Sequence, residues 1–190
     1  MASEVEIANA ALQKLGAKRI NALTEDSVNA RACNACYSRL RDAELRAHTW
    51  NFAKMRKGLA ADVDAPEFGK ARSFQLPADW LRMLSPYPEM NLNDLDWEIE
   101  GKKIYTNDSA PLQIRYVRQV TDPNEMDALF RESLSARMAS EMCEQLTQSN
   151  TKKQLLDGGY KSTIAEARRT NAIENISAEP PEDTWVTVRA

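Results

Sequence analysis

Cys33 and Cys36 stand in Cys-x-x-Cys spacing, and with Cys143 and His48 they could nominally complete a four-ligand metal set. The surroundings argue otherwise. Both residues of the pair fall on the apolar stripe of a helical pattern, no second Cys pair exists, and no Gly or Pro knuckle frames them as a metal loop requires. Small buried core residues account for them, so neither metal nor cofactor is expected. A redox role fares no better, because a dithiol of the thioredoxin type belongs at a strand-to-helix junction rather than mid-helix. His48, beside Trp50 at a helix end, reads as a packing or capping residue, since no serine or cysteine motif accompanies it. Glu89, Asp94, Asp96, Glu98 and Glu100 form an acidic cluster with the chemistry for a divalent cation or paired carboxylates, yet strand alternation sends Glu98 and Glu100 to a solvated face. The six glycines assemble neither a phosphate-cradling loop nor a dinucleotide fingerprint.

Composition sets the frame for these residues. With 190 residues, 43 % hydrophobic and 28 % charged, the chain can bury a real core as one folding unit. Lys+Arg 25 against Asp+Glu 28 leaves a net charge of −3, which exerts no global pull on nucleic acid, so any DNA contact must come from local charge. Three cysteines suit a reducing compartment. The acidic start, Ser3-Glu4-Val5-Glu6, and the lack of a long apolar window set secretion and a membrane span aside as expectations.

The elements that must position these residues alternate in type along the chain. Ser3 and Glu6 stand in capping-box spacing ahead of Val5, Ala8, Leu12 and Leu15, and Gly16 supplies a stop, which predicts a helix over about 3–16. Asp26 or Ser27 then caps a long segment striped by Cys33, Cys36, Tyr37, Leu40, Ala43, Ala47 and Trp50, predicted as a helix to about 54. From about 58 to 120 the helical period gives way to prolines between short aromatic and branched runs, a small antiparallel β region. Its clearest hairpin is Trp97 to Tyr105 around Gly101, and Leu112 to Val117 supplies a further strand. Asp122, Pro123 and Glu125 look like a helix start, and Met126, Phe130, Leu134, Met138, Met142 and Leu146 repeat every four residues to about 147. A fourth helix is predicted over about 150–175, weakened or bent at Gly158 and Gly159.

The fold class is therefore α+β, mainly a bundle of about four helices with an inserted β region, all in one domain over 1–176. Residues 177–190 read as an extended arm, because Pro180 and Pro181 cannot continue a helix and Trp185, Val186 and Val188 follow them without a periodic partner. Charge is segregated. Arg31, Arg39, Arg41, Arg46, Lys54, Arg56 and Lys57 meet only Asp42 and Glu44 on and just past the second helix, whereas Glu89 to Glu100 is acidic. Opposite patches on a nearly neutral chain suit heterologous self-association, which closes into a ring when the rotation allows.

With the segments in order, the chain resembles the tail tubular protein A, or head-to-tail adaptor, family of short-tailed bacteriophages. The resemblance rests on Ala11-Leu12-x-x-Leu15-Gly16, Leu23-x-Glu25-Asp26-Ser27, Tyr37 and Arg41-Asp42-x-x-Leu45-Arg46. It continues through Trp50-x-Phe52-Ala53-x-x-Arg56-x-x-Leu59, Phe74-x-Leu76-Pro77-x-Asp79-x-Leu81-Arg82 and Trp97-x-Ile99-Glu100-Gly101. Ile114-Arg115-Tyr116, Asp122-Pro123, Tyr160 and Ala165-Glu166-Ala167-Arg168 complete it. Their order and spacing carry the likeness, no single piece being specific. The resemblance implies a virion protein of the tail or neck, assembled in the host cytoplasm as a twelve-fold ring between portal and tail nozzle proteins. Genomic DNA would pass through its lumen without sequence recognition, and no residue would be catalytic. It also implies a portal-binding arm, here carrying Trp185, Val186 and Val188, and the opposed charge patches suggest lateral contacts between the Arg31, Arg39, Arg41 and Arg46 face and the acids Glu89, Asp94, Asp96, Glu98 and Glu100. Two rival readings stand beside it. A DNA-binding or packaging accessory would use the same arginines on phosphate. A tail-associated hydrolase would need a carboxylate cleft, for which Asp94 and Asp96 are the clustered aspartates of the β region.

Overall fold

The computed structural model describes residues 2–84 and 96–174. Their elements run α1 (Glu4–Leu15), α2 (Val28–Ala47), a 3-10 turn (Asn51–Ala53), β1 (Lys54–Leu59), β2 (Arg72–Gln75), β3 (Trp80–Leu84), β4 (Trp97–Glu100), β5 (Lys103–Thr106), β6 (Leu112–Arg118), α3 (Ala128–Thr147) and α4 (Asn150–Ile173). This is an α+β fold. Six short strands inserted between α2 and α3 form two antiparallel sheets, ordered β1-β6-β3 and β2-β5-β4.

The first helix follows its sequence signals to the residue. Ser3 accepts from the Glu6 amide while the Glu6 carboxylate accepts from the Ser3 amide, and Gly16 ends the helix at φ 66°, where a side chain would be strained. Helix α3 packs against α1, α2 and α4. Trp50, Phe130, Leu134, Met138 and Met142 meet Leu12, Leu40 and Cys143 in the helical core, and Val117 and Val120 extend that core onto the first sheet. A second core joins the sheets through Leu59, Phe74, Leu76, Ile104, Leu112, Ile114 and Tyr116. The period of two explains the division: Leu112, Ile114 and Tyr116 point to one face of β6, and Val117 points to the other.

Three boundaries differ from expectation, two because a non-local contact outweighs a local signal and one because a later residue supplies the cap. Helix α2 stops at Ala47, not near 54, and strand pairing starts at Lys54 rather than 58. His48 turns to extended backbone, and the Trp50 indole returns to the core, donating from Nε1 to the Glu44 carbonyl at 3.0 Å. That indole takes an acceptor that a longer helix would use itself. Helix α3 starts at Ala128 rather than 123. Asp127 is its cap, accepting from the Leu129 and Phe130 amides, whereas Asp122 closes a local turn on the Asn124 amide and Glu125 pairs with Arg118. Both aspartates had capping chemistry, and the later one is followed by regular helix.

Helix α4 runs unbroken through Gly158 and Gly159. Both glycines are exposed, and a methyl group at either would meet nothing within 4 Å. Gly158→Ala and Gly159→Ala should therefore each stabilise the protein by about 0.5–1 kcal/mol, through the smaller entropy of the unfolded chain. Urea midpoints should rise for each single variant and further for the double. An unchanged or lowered midpoint would mean that the helix needs its glycines.

Candidate functional site

The basic stripe of α2 is engaged within the chain. Arg31 pairs with Asp26, Arg39 Nη2 reaches Glu141 Oε1 at 2.6 Å, and Arg46 Nη1 donates to the Leu81 carbonyl. Arg41 corrects the expectation of an outward patch. It is 4 % exposed, its Nε pairs with Asp42 Oδ1 at 2.9 Å, and its guanidinium lies 5.8 Å from the Tyr37 ring centre. Asp42 in turn accepts from Gln119 Nε2 at 2.7 Å, tying the helix to the residue after β6. The partners on α3 and β3 lie far off in sequence, which is why charge counting along α2 overlooked them.

Uncompensated positive charge sits instead on the first sheet. Arg56, Lys57 and Arg115 line a groove of about 290 Å³ with Gly58, Pro111, Gln113 and Ile114. Arg56 lies directly opposite Arg115 in the β1–β6 register, a like-charge cross-strand pair that costs stability. Among the described residues the Arg56, Lys57 and Arg115 side chains make no ion pair or hydrogen bond. The neighbouring Lys54 ammonium is pushed below its ordinary range, first by burial and then by Arg115.

On the second sheet the acids gather on β4, Glu98 and Glu100, while Arg72 on β2 and Lys103 on β5 carry positive charge. Asp96 accepts from Lys70 and from Asn107 Nδ2, and these bonds hold its carboxyl below the usual carboxylate range, the Lys70 bond contributing most. Lys103 reaches across to Asp62 at 2.8 Å, although it stands opposite Glu100 in the β4–β5 register. Glu98 and Glu100 are thus left exposed, without an ion pair or hydrogen bond among the described residues. They border a groove of about 280 Å³ with Pro66, Glu67, Phe68, Lys70 and Tyr105, and Phe68 is 88 % exposed. Glu89, Asp94, Trp185, Val186 and Val188 lie outside the described residues.

The soft nucleophiles are buried in the helical core. Cys33, Cys36 and Cys143 are free thiols, and burial pushes Cys33 up to about 11 and Cys36 up to about 12. Thiols so raised stay protonated at neutral pH and are poor nucleophiles and poor metal ligands. Among the described residues no three His, Cys, Asp or Glu side chains converge as a metal site. His48 packs edge-on against Trp50 with ring centres 4.7 Å apart, and its Nε2 lies 3.2 Å from Asn171 Nδ2. Burial, then Arg168, Arg82 and Lys54, lower its basicity, which favours the neutral imidazole. Asn171 also accepts from the Asn51 amide at 2.8 Å and donates to the Thr49 carbonyl at 3.1 Å, fastening α4 to the α2–β1 connection.

One buried charge has no counterpart in the sequence reading. The Glu44 side chain is 1 % exposed, pairs with Arg137 Nη1 at 2.5 Å, accepts from the Tyr160 hydroxyl, and has Arg168 Nη2 at 3.9 Å. It joins α2, α3 and α4 at one point. The arrangement is structural in kind: the carboxylate is buried and its partners are side chains of α3 and α4. No protein-family model matches the chain, and no curated protein matches it.

Proposed function

We propose that this chain is the structural subunit of a ring-shaped head-to-tail adaptor, a tail tubular protein seated between portal and tail nozzle and sealing the DNA exit channel. The observation that carries the reading is a separation of charge within the β unit, among the described residues: Arg56, Lys57 and Arg115 without an ion pair on one sheet, Glu98 and Glu100 without an ion pair on the other. A ring subunit needs two unlike lateral faces, since each copy presents one face to its neighbour and receives the other. The resemblance in motif order adds the partners, the twelve copies and the virion location. It also assigns the 177–190 arm, with Trp185, Val186 and Val188, to the portal. No helix among the described residues is long and apolar enough to cross a membrane.

No catalytic residue is assigned. Asp96, one of the aspartates a hydrolase would use, is tied to Lys70 and Asn107 and stands on an exposed sheet rather than in a cleft. For the DNA-accessory reading, Arg41 is buried, whereas Arg31 and Arg39 remain exposed while paired with Asp26 and Glu141.

Mass measurement of the purified protein, alone and with portal protein, tests the proposal. The expected result is a closed oligomer on the portal, with deletion of Glu182 to Ala190 leaving the fold intact and releasing the ring from the portal. A subunit that stays monomeric under both conditions would overturn the adaptor reading.

A further inference from the structure

We infer that the groove lined by Arg56, Lys57 and Arg115 receives the Glu98, Glu100 and Phe68 face of a second copy of this chain, so that lateral assembly runs from sheet to sheet rather than through α2. The inference rests on the ring reading for its biological setting, but its chemistry is local. Arg56 and Arg115 face each other across the β1–β6 ladder, and a fold gains nothing by itself from such a pair. Among the described residues no carboxylate pairs with either arginine, and a carboxylate brought by a neighbouring copy would relieve their repulsion.

Gly58 supplies a second, independent observation. It sits in the exposed edge strand β1, where glycine weakens pairing, and its backbone does not require glycine: its φ is not in the left-handed region, and an added Cβ would meet only the Pro111 side chain at 3.9 Å. Nothing among the described residues accounts for a missing side chain there. Its effect is on the groove, which Gly58 leaves open beside Pro111 and Ile114, an apolar floor between cations. A chain approaching this strand would find both an apolar recess and positive charge.

The acidic sheet presents the matching chemistry. Glu98 and Glu100 project from the same face of β4, about 6–7 Å apart by strand geometry, and their in-register neighbours are Tyr105 and Lys103. Lys103 is bound to Asp62 and Lys70 to Asp96, which leaves the two glutamates able to pair elsewhere. Phe68 stands beside them, 88 % exposed, as an aromatic side chain with no internal packing role. An exposed aromatic rimmed by carboxylates suits a recess rimmed by guanidinium groups. The sites lie on different sheets, so each copy can give one to a neighbour and keep the other for the next, and such head-to-tail contacts close into a ring when the rotation allows.

Charge reversal with rescue tests the pairing. Sedimentation velocity of the full chain, alone and on portal, should show association weakened about 100-fold by Arg56→Glu with Arg115→Glu, and equally by Glu98→Arg with Glu100→Arg. The variant carrying all four substitutions should assemble again, and Phe68→Ala should weaken assembly while leaving the melting temperature unchanged. All five positions are exposed or half-buried, so circular dichroism should report a native fold throughout. If wild type forms rings and the reversed variants form them equally well, the surface assignment is wrong while the adaptor reading stands. If wild type never associates, both fall. A labelled DNA duplex is the competing probe: loss of duplex binding on reversing Arg56 and Arg115, with no rescue of assembly by the fourfold variant, would make the groove a phosphate-binding face and overturn the proposal.

Discussion

Replacing Glu44 by alanine should cost the fold about 3–5 kcal/mol, the largest effect expected of any single polar substitution among the described residues. The carboxylate is buried between three helices, and its removal leaves Arg137 and the Tyr160 hydroxyl without their acceptor. The cost arises from those stranded partners more than from any net worth of the ion pair, since burying two charges already offsets much of their attraction. Glu44→Gln keeps the volume and an acceptor oxygen, and should cost clearly less. Tyr160→Phe removes one donor and should cost about 1–2 kcal/mol. In thermal melts the alanine variant should fall by roughly 10 °C or more, at a few degrees per kcal/mol for a chain of this size. Full-strength stability in Glu44→Ala would mean that α4 is held by its other contacts, the apolar Ile164 and Ala167 and the Asn171 hydrogen bonds.

Neither this charge nor its partners could be found by reading α2. Glu44 looks like an ordinary solvated acid of a basic helix, and only the packing of α3 and α4 buries it. The same reason explains Arg41, whose side chain shares that helix with exposed Arg39 yet turns onto Tyr37 and Asp42. What the chain did make legible was local. The Ser3 and Glu6 box, the Gly16 stop, the hairpin turning at Gly101 and the β6 strand depend on neighbours within a few residues, and each appears where its pattern places it. Boundaries failed where a distant group competed, as when the Trp50 indole took the Glu44 carbonyl. The charged surfaces were half legible. Glu98 and Glu100 alternate outward as a period of two demands, whereas Arg56 and Arg115 become one site only when β1 pairs with β6, across more than fifty residues of sequence.

Alkaline unfolding should be equally large and should originate in the cysteine pair. Cys33 and Cys36 rise from 9.0 to about 11 and about 12 on folding, burial being the first cause for each. Above pH 9 the unfolded chain releases these protons while the folded chain keeps them, so the unfolded state binds fewer protons and stability falls as pH rises. The stabilisation is complete below pH 9 and is lost as pH climbs through the folded-state values of about 11 and 12. Each unit of difference corresponds to about 1.4 kcal/mol, so the two thiols withdraw several kcal/mol, a large part of the roughly 5–15 kcal/mol that holds a domain together. Tyr37, Tyr116 and Tyr160, each raised from 10.0 to about 12 mainly by burial, steepen the loss above pH 10. Urea titrations from pH 8 to 10.5 separate the contributions. Wild type should lose stability steeply from pH 9, whereas Cys33→Ala with Cys36→Ala should start less stable at pH 8 and decline more gently, because the thiol contribution is then gone. Parallel slopes for the two proteins would show that the thiols ionise as easily in the folded core as in the unfolded chain, and that burial in α2 does not govern them.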